Sequence, residues 1–363
     1  MTNELQSMRR CLELARKGAG SVSPNPMVGC VIVKEGKVIG EGFHERFGGA
    51  HAEVNAIRSA SESVEGAEVF VNLEPCSFFG KTPPCTDLLI EKKVKRVHVS
   101  MLDPNPRVNG NGVRRLKEAG IEVDVGLLGE DSRDLNEAFI KHITTGLPFV
   151  TLKIAQSLDG KIALNNRKSK YITSGDSLKR VHSLRSEVDA VLVGAGTVSS
   201  DNPSLTVRLV EGRSPVRIVI DGNLNSPLES SMFHDHESEV ILFHSVSSRG
   251  KAGRKMAALE RQGVRLIRLR GNKTGKVPLK ALLKAIGELG IASVMVEGGG
   301  DLFSSFIREK LADKIELFVA PVILGDGIGF SDGMSIRDLG KGIRLNRTQV
   351  TQLGVDQLIT AYF

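Results

Sequence analysis

The feature that most constrains this chain is a single interruption in an otherwise regular alternation of strand-like and helix-like segments. At 142–149, HITTGLPF, Gly146 and Pro148 break a helical pattern that ends about His142, and a strand-like run, FVTLKIA, follows. Upstream, Leu5, Met8, Leu12 and Ala15 recur at helical spacing. MVGCVIV (27–33) and KVIGEGF (37–43) flank Glu35-Gly36 and predict a hairpin. Helices are expected over 50–60, 85–94 and 113–120, and strands over 68–75, 96–104 and 121–126. Downstream, strands are expected over 149–155, 190–194, 215–221, 239–244, 263–269, 292–296 and 314–320, with helices over 176–187, 278–289 and 301–311. The final segment, IRLNRTQVTQLGVDQLITAYF, alternates by twos around Gly354 and predicts an antiparallel hairpin. The pattern predicts two layered α/β domains, 1–145 and 146–363.

Composition narrows what such domains do. Of 363 residues, 40% are apolar and 25% charged, ordinary values that exclude a disordered polymer or a collagen. The longest apolar runs hold about seven residues, whereas a membrane span needs ~20, so no membrane association is expected. With 14 Phe, 2 Tyr and no Trp, an aromatic platform for single-stranded nucleic acid is not expected. The net charge of +7 favours anionic partners, and its even spread fits phosphorylated metabolites as well as a plain basic surface. The first twenty residues carry Glu4 and Glu13 and lack the apolar core of a secretory signal. Four cysteines without such a signal point to a reducing compartment and a cytoplasmic location.

Residues 51–56 read HAEVNA and 74–85 read EPCSFFGKTPPC. His51, Cys76 and Cys85 offer one nitrogen and two sulfur donors, which leaves a fourth zinc position open, as catalytic zinc requires. Glu53 is the candidate proton shuttle. Two residues apart on a regular helix means about 200° of rotation, so His51 and Glu53 share a site only if the helix begins at His51. Gly48-Gly49 permits that turn. Cys85 follows Pro83-Pro84 and opens the next helix. Taken singly, His51 reads as a surface or capping residue, and the cysteines as core residues or a disulfide. Taken together, H-A-E at a helix start and P-C on a strand-to-helix turn are the zinc-deaminase signature. Cys11 and Cys30 lie on apolar faces and read as core.

The eight-residue spacing between the cysteines, with SPNPMVG (23–29), GGAHAE (48–53) and DPNPRVNGNG (103–112), resembles the pyrimidine deaminase of riboflavin biosynthesis, over about residues 8–145. The resemblance implies a cytidine-deaminase-like three-layer α/β sandwich. It also implies zinc on His51, Cys76 and Cys85, Glu53 as proton shuttle, and a substrate pocket lined by Asn25, His44, Lys81, Asp103 and Asn105. An amide and a carboxylate suit the edges of an aminopyrimidinone, and Lys81 and His44 suit a 5′-phosphate. Asn25 taken alone reads as a turn residue. Phe78 and Phe79 stand where the family usually has two histidines, so one polar contact to substrate is expected to be missing.

In the second half no GxGxxG follows a strand, so the Rossmann fingerprint is absent. LKIAQSLDGKIA (152–163), SKYITS (169–174), LRSEVDAVLVGAGTV (184–198), DNPSLTVR (201–208), VEGGG (296–300) and APVILG (320–325) occur in order. They resemble the reductase partner of the same deaminase, a dihydrofolate-reductase-like α/β domain that uses NADPH. The match puts NADPH near Ala155, Tyr171, Thr197, Asp201 and the turn Gly299, Gly300, Asp301, Leu302, Phe303, Ser304 and Ser305. It puts substrate near Lys153, Ser169, Arg185, Leu205, Arg208 and Glu297, with Arg185 and Arg208 suited to phosphate. Tyr171 replaces a more usual Trp, and Arg167 and Lys168 a more usual Gly and acidic residue.

The expectation is a bifunctional enzyme that deaminates 2,5-diamino-6-ribosylamino-4(3H)-pyrimidinone 5′-phosphate and then reduces its ribosyl side chain. Its partners would be small phosphorylated pyrimidines and copies of itself, as dimer or tetramer, with no nucleic acid. The alternative is a zinc base deaminase acting on RNA, with the second half as a binding module.

Overall fold

The computed structural model describes residues 3–79, 83–106, 108–166, 169, 172–247, 250–272 and 275–363. The chain divides into two compact units, Met1–Gly146 and Leu147–Phe363.

The first unit runs α1 (Glu4–Arg16), β1 (Gly29–Lys34), β2 (Lys37–Phe43), α2 (Ala52–Ser59), β3 (Glu68–Val71), α3 (Cys85–Glu91), β4 (Arg96–Val99), α4 (Asn111–Glu118), β5 (Glu122–Val125), α5 (Gly129–Leu135) and α6 (Glu137–Thr145). Its sheet order is β2-β1-β3-β4-β5. β1 pairs antiparallel with β2 and β3, while β3, β4 and β5 run parallel. Side chains alternate across a strand, so β1 serves two cores. Val31 and Val33 meet Met8, Cys11 and Leu14 of α1. Cys30 and Ile32 meet Ala52 and Ala56 of α2, with Leu89 and Leu116 from α3 and α4. Helices thus cover both faces. Both core cysteines are free and buried. The helix expected to end about His142 continues to Thr145, where Gly146 at φ 72° closes it in the left-handed conformation.

The second unit runs β6 (Phe149–Ser157), β7 (Lys161–Leu164), α7 (Gly175–Glu187), β8 (Ala190–Gly194), α8 (Ala195–Asp201), β9 (Val216–Ile220), β10 (Val240–His244), α9 (Gly250–Arg261), β11 (Val264–Arg268), α10 (Leu279–Glu288), β12 (Ser293–Val296), α11 (Gly300–Arg308), β13 (Lys314–Ala320), β14 (Gly327–Gly329), β15 (Asn346–Leu353) and β16 (Asp356–Tyr362). Nine strands form one sheet in the order β11-β10-β9-β8-β12-β6-β13-β16-β15. From β11 to β13 they run parallel, and the β15–β16 hairpin closes the edge antiparallel. β8 and β12 are neighbours, yet the chain leaves β8 toward β9 on one side and β12 toward β13 on the other. Their carboxyl ends therefore form a topological switch point, where open α/β sheets bind ligands. Apolar cores cover both faces. Among the described residues no helix is long and apolar enough to cross a membrane.

Candidate active site

In the first unit the chain breaks from loop to helix at His51, the N-cap of α2 with extended backbone. That break brings His51 and Glu53 to one site. Pro84 caps α3, so Cys85 opens its first turn. Cys76 comes from the segment after β3, and its sulfur accepts the Cys85 backbone N–H at 3.3 Å. The His51 Nδ1 lies 3.2 Å from the Cys85 sulfur and 3.6 Å from that of Cys76. All three donor atoms fall within 4.8 Å of one another. Tetrahedral zinc with bonds of ~2.0–2.3 Å needs donors roughly 3.4–3.8 Å apart, so nitrogen and two sulfurs at this spacing fit zinc and leave a position open.

Electrostatics agree with the donor set. The bond from the Cys85 thiol, with help from His51, holds Cys76 well below the ordinary thiol range, and that bond and burial push Cys85 up. Glu53 is buried, and burial raises its carboxyl above the usual range, with the Cys76 charge adding to it. A carboxyl raised in this way holds a proton more readily than an ordinary one.

His51, Glu53 and Cys76 line a cavity of about 390 Å³ together with Asn25, His44, Glu74, Phe78, Asp103 and Asn105. The expected pocket residues therefore meet at one place, except Lys81, which lies outside the described residues. Asp103 is buried, and desolvation lifts its carboxyl to about 6, while the Asn105 backbone N–H donates to it at 2.8 Å. His44 departs from expectation. Its Nδ1–H donates to the Ala50 carbonyl at 2.9 Å, and its Nε2 accepts from the Asn25 amide at 3.1 Å. Burial lowers its pKa, and both ring nitrogens are engaged, so in this arrangement the ring holds Asn25. Sequence reasoning did not pick out Glu74, nor Phe139 and His142 of α6, which also line the cavity.

In the second unit Glu297 follows β12 and its backbone N–H bonds to Leu192 of β8, at the switch point. Arg185 of α7 grips it through Nε at 2.7 Å and Nη2 at 3.0 Å, and Lys153 of β6 lies 3.5 Å away. Burial alone would raise the Glu297 carboxyl, but the Arg185 and Lys153 charges outweigh it and hold it at about 2. Arg185 was expected to offer its fork to phosphate; that fork is committed to Glu297, and its Nη1 donates to the Thr206 carbonyl. Arg208 is exposed and makes a side-chain bond to Thr206 Oγ1. Leu205 has φ 57° and its side chain is buried in the core. This unfavourable conformation is held by Arg217 on the Ser204 carbonyl and Arg185 on that of Thr206. His182, one turn before Arg185, was missed although i,i+3 spacing puts both on one helix face. Its Nδ1 accepts the Arg208 backbone N–H at 3.0 Å, and burial plus the nearby arginines push it down to about 4.

A dinucleotide would need open backbone at the same strand ends. Gly194 at the end of β8, Gly196 after it and Gly299 after β12 have open space where a Cβ would stand, and α11 has no side-chain cap at Gly299. Its first amides are free of a capping side chain and suit a phosphate. Thr197 and Asp201 lie on α8, Ala155 on β6. Asp301 is exposed; Phe303 buries its ring in the core and Ser304 is buried, so these two can serve a ligand only through backbone. Ser169 lies in the segment between β7 and α7. Tyr171, Arg167 and Lys168 lie outside the described residues.

Residues 1–101 match the cytidine and deoxycytidylate deaminase zinc-binding region, and residues 148–359 match the RibD C-terminal domain. The riboflavin biosynthesis protein RibD of Aquifex aeolicus is 45% identical over 353 residues, which cover 97% of this chain and 96% of that one. The chain belongs to the RibD family of riboflavin biosynthesis proteins. Escherichia coli RibD is 37% identical over 364 residues, 96% of each chain. A Thermotoga maritima diaminohydroxyphosphoribosylaminopyrimidine deaminase/5-amino-6-(5-phosphoribosylamino)uracil reductase is similar in structure, with a TM-score of 0.88 and 39% identity over 99% of this chain and 98% of that one. Acinetobacter baumannii RibD gives the same TM-score at 36% identity. The α/β fold class and its order, deaminase domain before reductase domain, are those of RibD.

Proposed function

We propose that the chain catalyses two successive steps of riboflavin synthesis. The first unit replaces the 2-amino group of 2,5-diamino-6-ribosylamino-4(3H)-pyrimidinone 5′-phosphate by oxygen; the second reduces the ribosyl side chain to ribityl. The observation that carries this reading is the meeting of the His51, Cys76 and Cys85 donor atoms beside a cavity that His51, Cys76 and buried Glu53 line. When bound there, zinc makes water acidic enough to supply a nucleophile near neutral pH. Glu53 then moves a proton to the departing amino group. Asn25, held by His44, reads the ring edge with Asp103 and Asn105, and Lys81 meets the phosphate.

At the second site NADPH, when bound, supplies the hydride that reaches the sugar C1′. Ala155, Tyr171, Thr197, Asp201 and the 299–305 turn would hold it. Lys153, Ser169, Leu205 and Glu297 would border the ribosyl group. Arg208 is the better phosphate ligand, since Arg185 is committed to Glu297. Activity as a homodimer or homotetramer, a cytoplasmic location and the absence of a nucleic-acid partner belong to the same reading.

NADPH absorbance tests it. Chelated protein given the diaminopyrimidine phosphate should oxidise no NADPH, yet oxidise it normally with the deaminated intermediate; zinc should restore the first reaction. Deamination of RNA without any NADPH oxidation would favour the RNA-directed alternative instead.

A further inference from the structure

The segment that carries Asp103 and Asn105 into the cavity is fastened by one buried side chain. Glu74 follows β3, two residues before Cys76, and is 3% exposed. Its Oε2 accepts the backbone N–H groups of Asp103 at 3.1 Å and Gly110 at 2.9 Å. Its Oε1 accepts those of Gly112 at 2.8 Å and Val113 at 3.1 Å. A carboxylate has about four acceptor positions, and backbone amides occupy all of them.

The reason lies in α4. Its N-cap is Gly110, at φ 86°, which has no side chain to cap with. The first-turn amides of Gly112 and Val113 would be left without acceptors. Glu74 supplies the cap from another part of the chain. Gly112 permits the approach, because a Cβ there would overlap the Pro75 carbonyl. The same carboxylate then reaches back to Asp103, at the other end of the loop.

We propose that Glu74 is a positioning residue of the deaminase site: its carboxylate clamps the 103–113 segment, and with it Asp103 and Asn105, to the chain that delivers Cys76. Asn72 fastens the Met27–Gly29 stretch in the same manner. It accepts from the Gly29 N–H at 2.8 Å and donates to the Met27 carbonyl at 3.0 Å, two residues from Asn25. The stretch 72–76 thus fastens two segments that carry pocket residues.

The proposal rests on the reading that Asp103 and Asn105 bind the pyrimidine. The test uses the full chain with Glu74→Gln, which keeps size but puts an amino group where two N–H donors need an acceptor. The expected result is a KM for the diaminopyrimidine phosphate raised about tenfold or more with kcat within about threefold, the mark of lost binding rather than lost chemistry. Zinc content and reductase kinetics stay unchanged. Amide exchange speeds up at Asp103, Gly110, Gly112 and Val113. Gly112→Ala, whose Cβ would overlap the Pro75 carbonyl and crowd Glu74 while keeping the carboxylate, gives the same pattern. In the unaltered protein those four amides exchange slowly as a group, a measurement that needs no variant. Fast exchange there removes the clamp and overturns the proposal. Faster exchange in Glu74→Gln with unchanged KM overturns it from the other side, because the loop then does not bind the pyrimidine. Loss of zinc from Glu74→Gln also overturns it, since Glu74 would then act through Cys76.

Discussion

Phe78→His is expected to improve the deaminase. Phe78 is 38% exposed and lies on the cavity wall, whereas Phe79 is 77% exposed and off it. A ring so open is no core residue, so an imidazole there is not charged the cost of burial without a partner. What it gains is one neutral hydrogen bond to substrate, on the order of 0.5–1.5 kcal/mol. At 1.36 kcal/mol per tenfold this corresponds to roughly two- to tenfold in kcat/KM, and the openness of the position places the gain in the lower half of that range. Phe79→His serves as the control and should change nothing. The assay is steady-state deamination of the diaminopyrimidine phosphate by zinc-loaded protein, with a melting curve on each variant. An unchanged or lower kcat/KM in folded, zinc-loaded Phe78→His would show that no substrate contact is missing at this position, as would an equal gain in Phe79→His.

Glu53→Gln should retain zinc by elemental analysis and lose at least ~10²-fold in deamination, because it removes the proton shuttle and no ligand, while reduction of the deaminated intermediate is unchanged. Glu297→Gln should destabilise the second unit by about 3 kcal/mol at pH 7, the magnitude of a buried carboxylate held at about 2 against ~4.3 unfolded. Because its folded pKa is depressed, that contribution is present above the unfolded pKa and is lost as pH falls through about 2. Exchange protection of residues 293–296, compared with the unaltered protein from pH 5 to pH 2.5, should show the gap closing.

The hairpin around Glu35-Gly36 was legible because both strands carry apolar runs on either side of a turn pair. The zinc trio was legible because donor type and the break at His51 leave few alternatives. Other parts carried a weaker signal or none. In α5 only Ser132 is buried, so that helix shows no apolar period, whereas α9 places Ala252, Met256 and Leu259 at i, i+4 and i+7 on one core cluster, a short signal that was overlooked. The strand expected over 68–75 ends at Val71, since Asn72 and Glu74 turn to bind loop backbone instead of extending the sheet. The destination of the Arg185 fork was equally hidden: its partner Glu297 is 112 residues away, and only the fold brings them together.

One chain performs both steps on one substrate. The most direct test supplies purified protein with the diaminopyrimidine phosphate in water enriched in heavy oxygen, with NADPH deuterated at its transferable position. Mass spectrometry and NMR should find heavy oxygen at the pyrimidine C2 and deuterium at C1′ of a ribityl chain, and without NADPH only the oxygen. Product that carries deuterium but keeps its 2-amino group, or no deuterium at any NADPH concentration, would contradict the account.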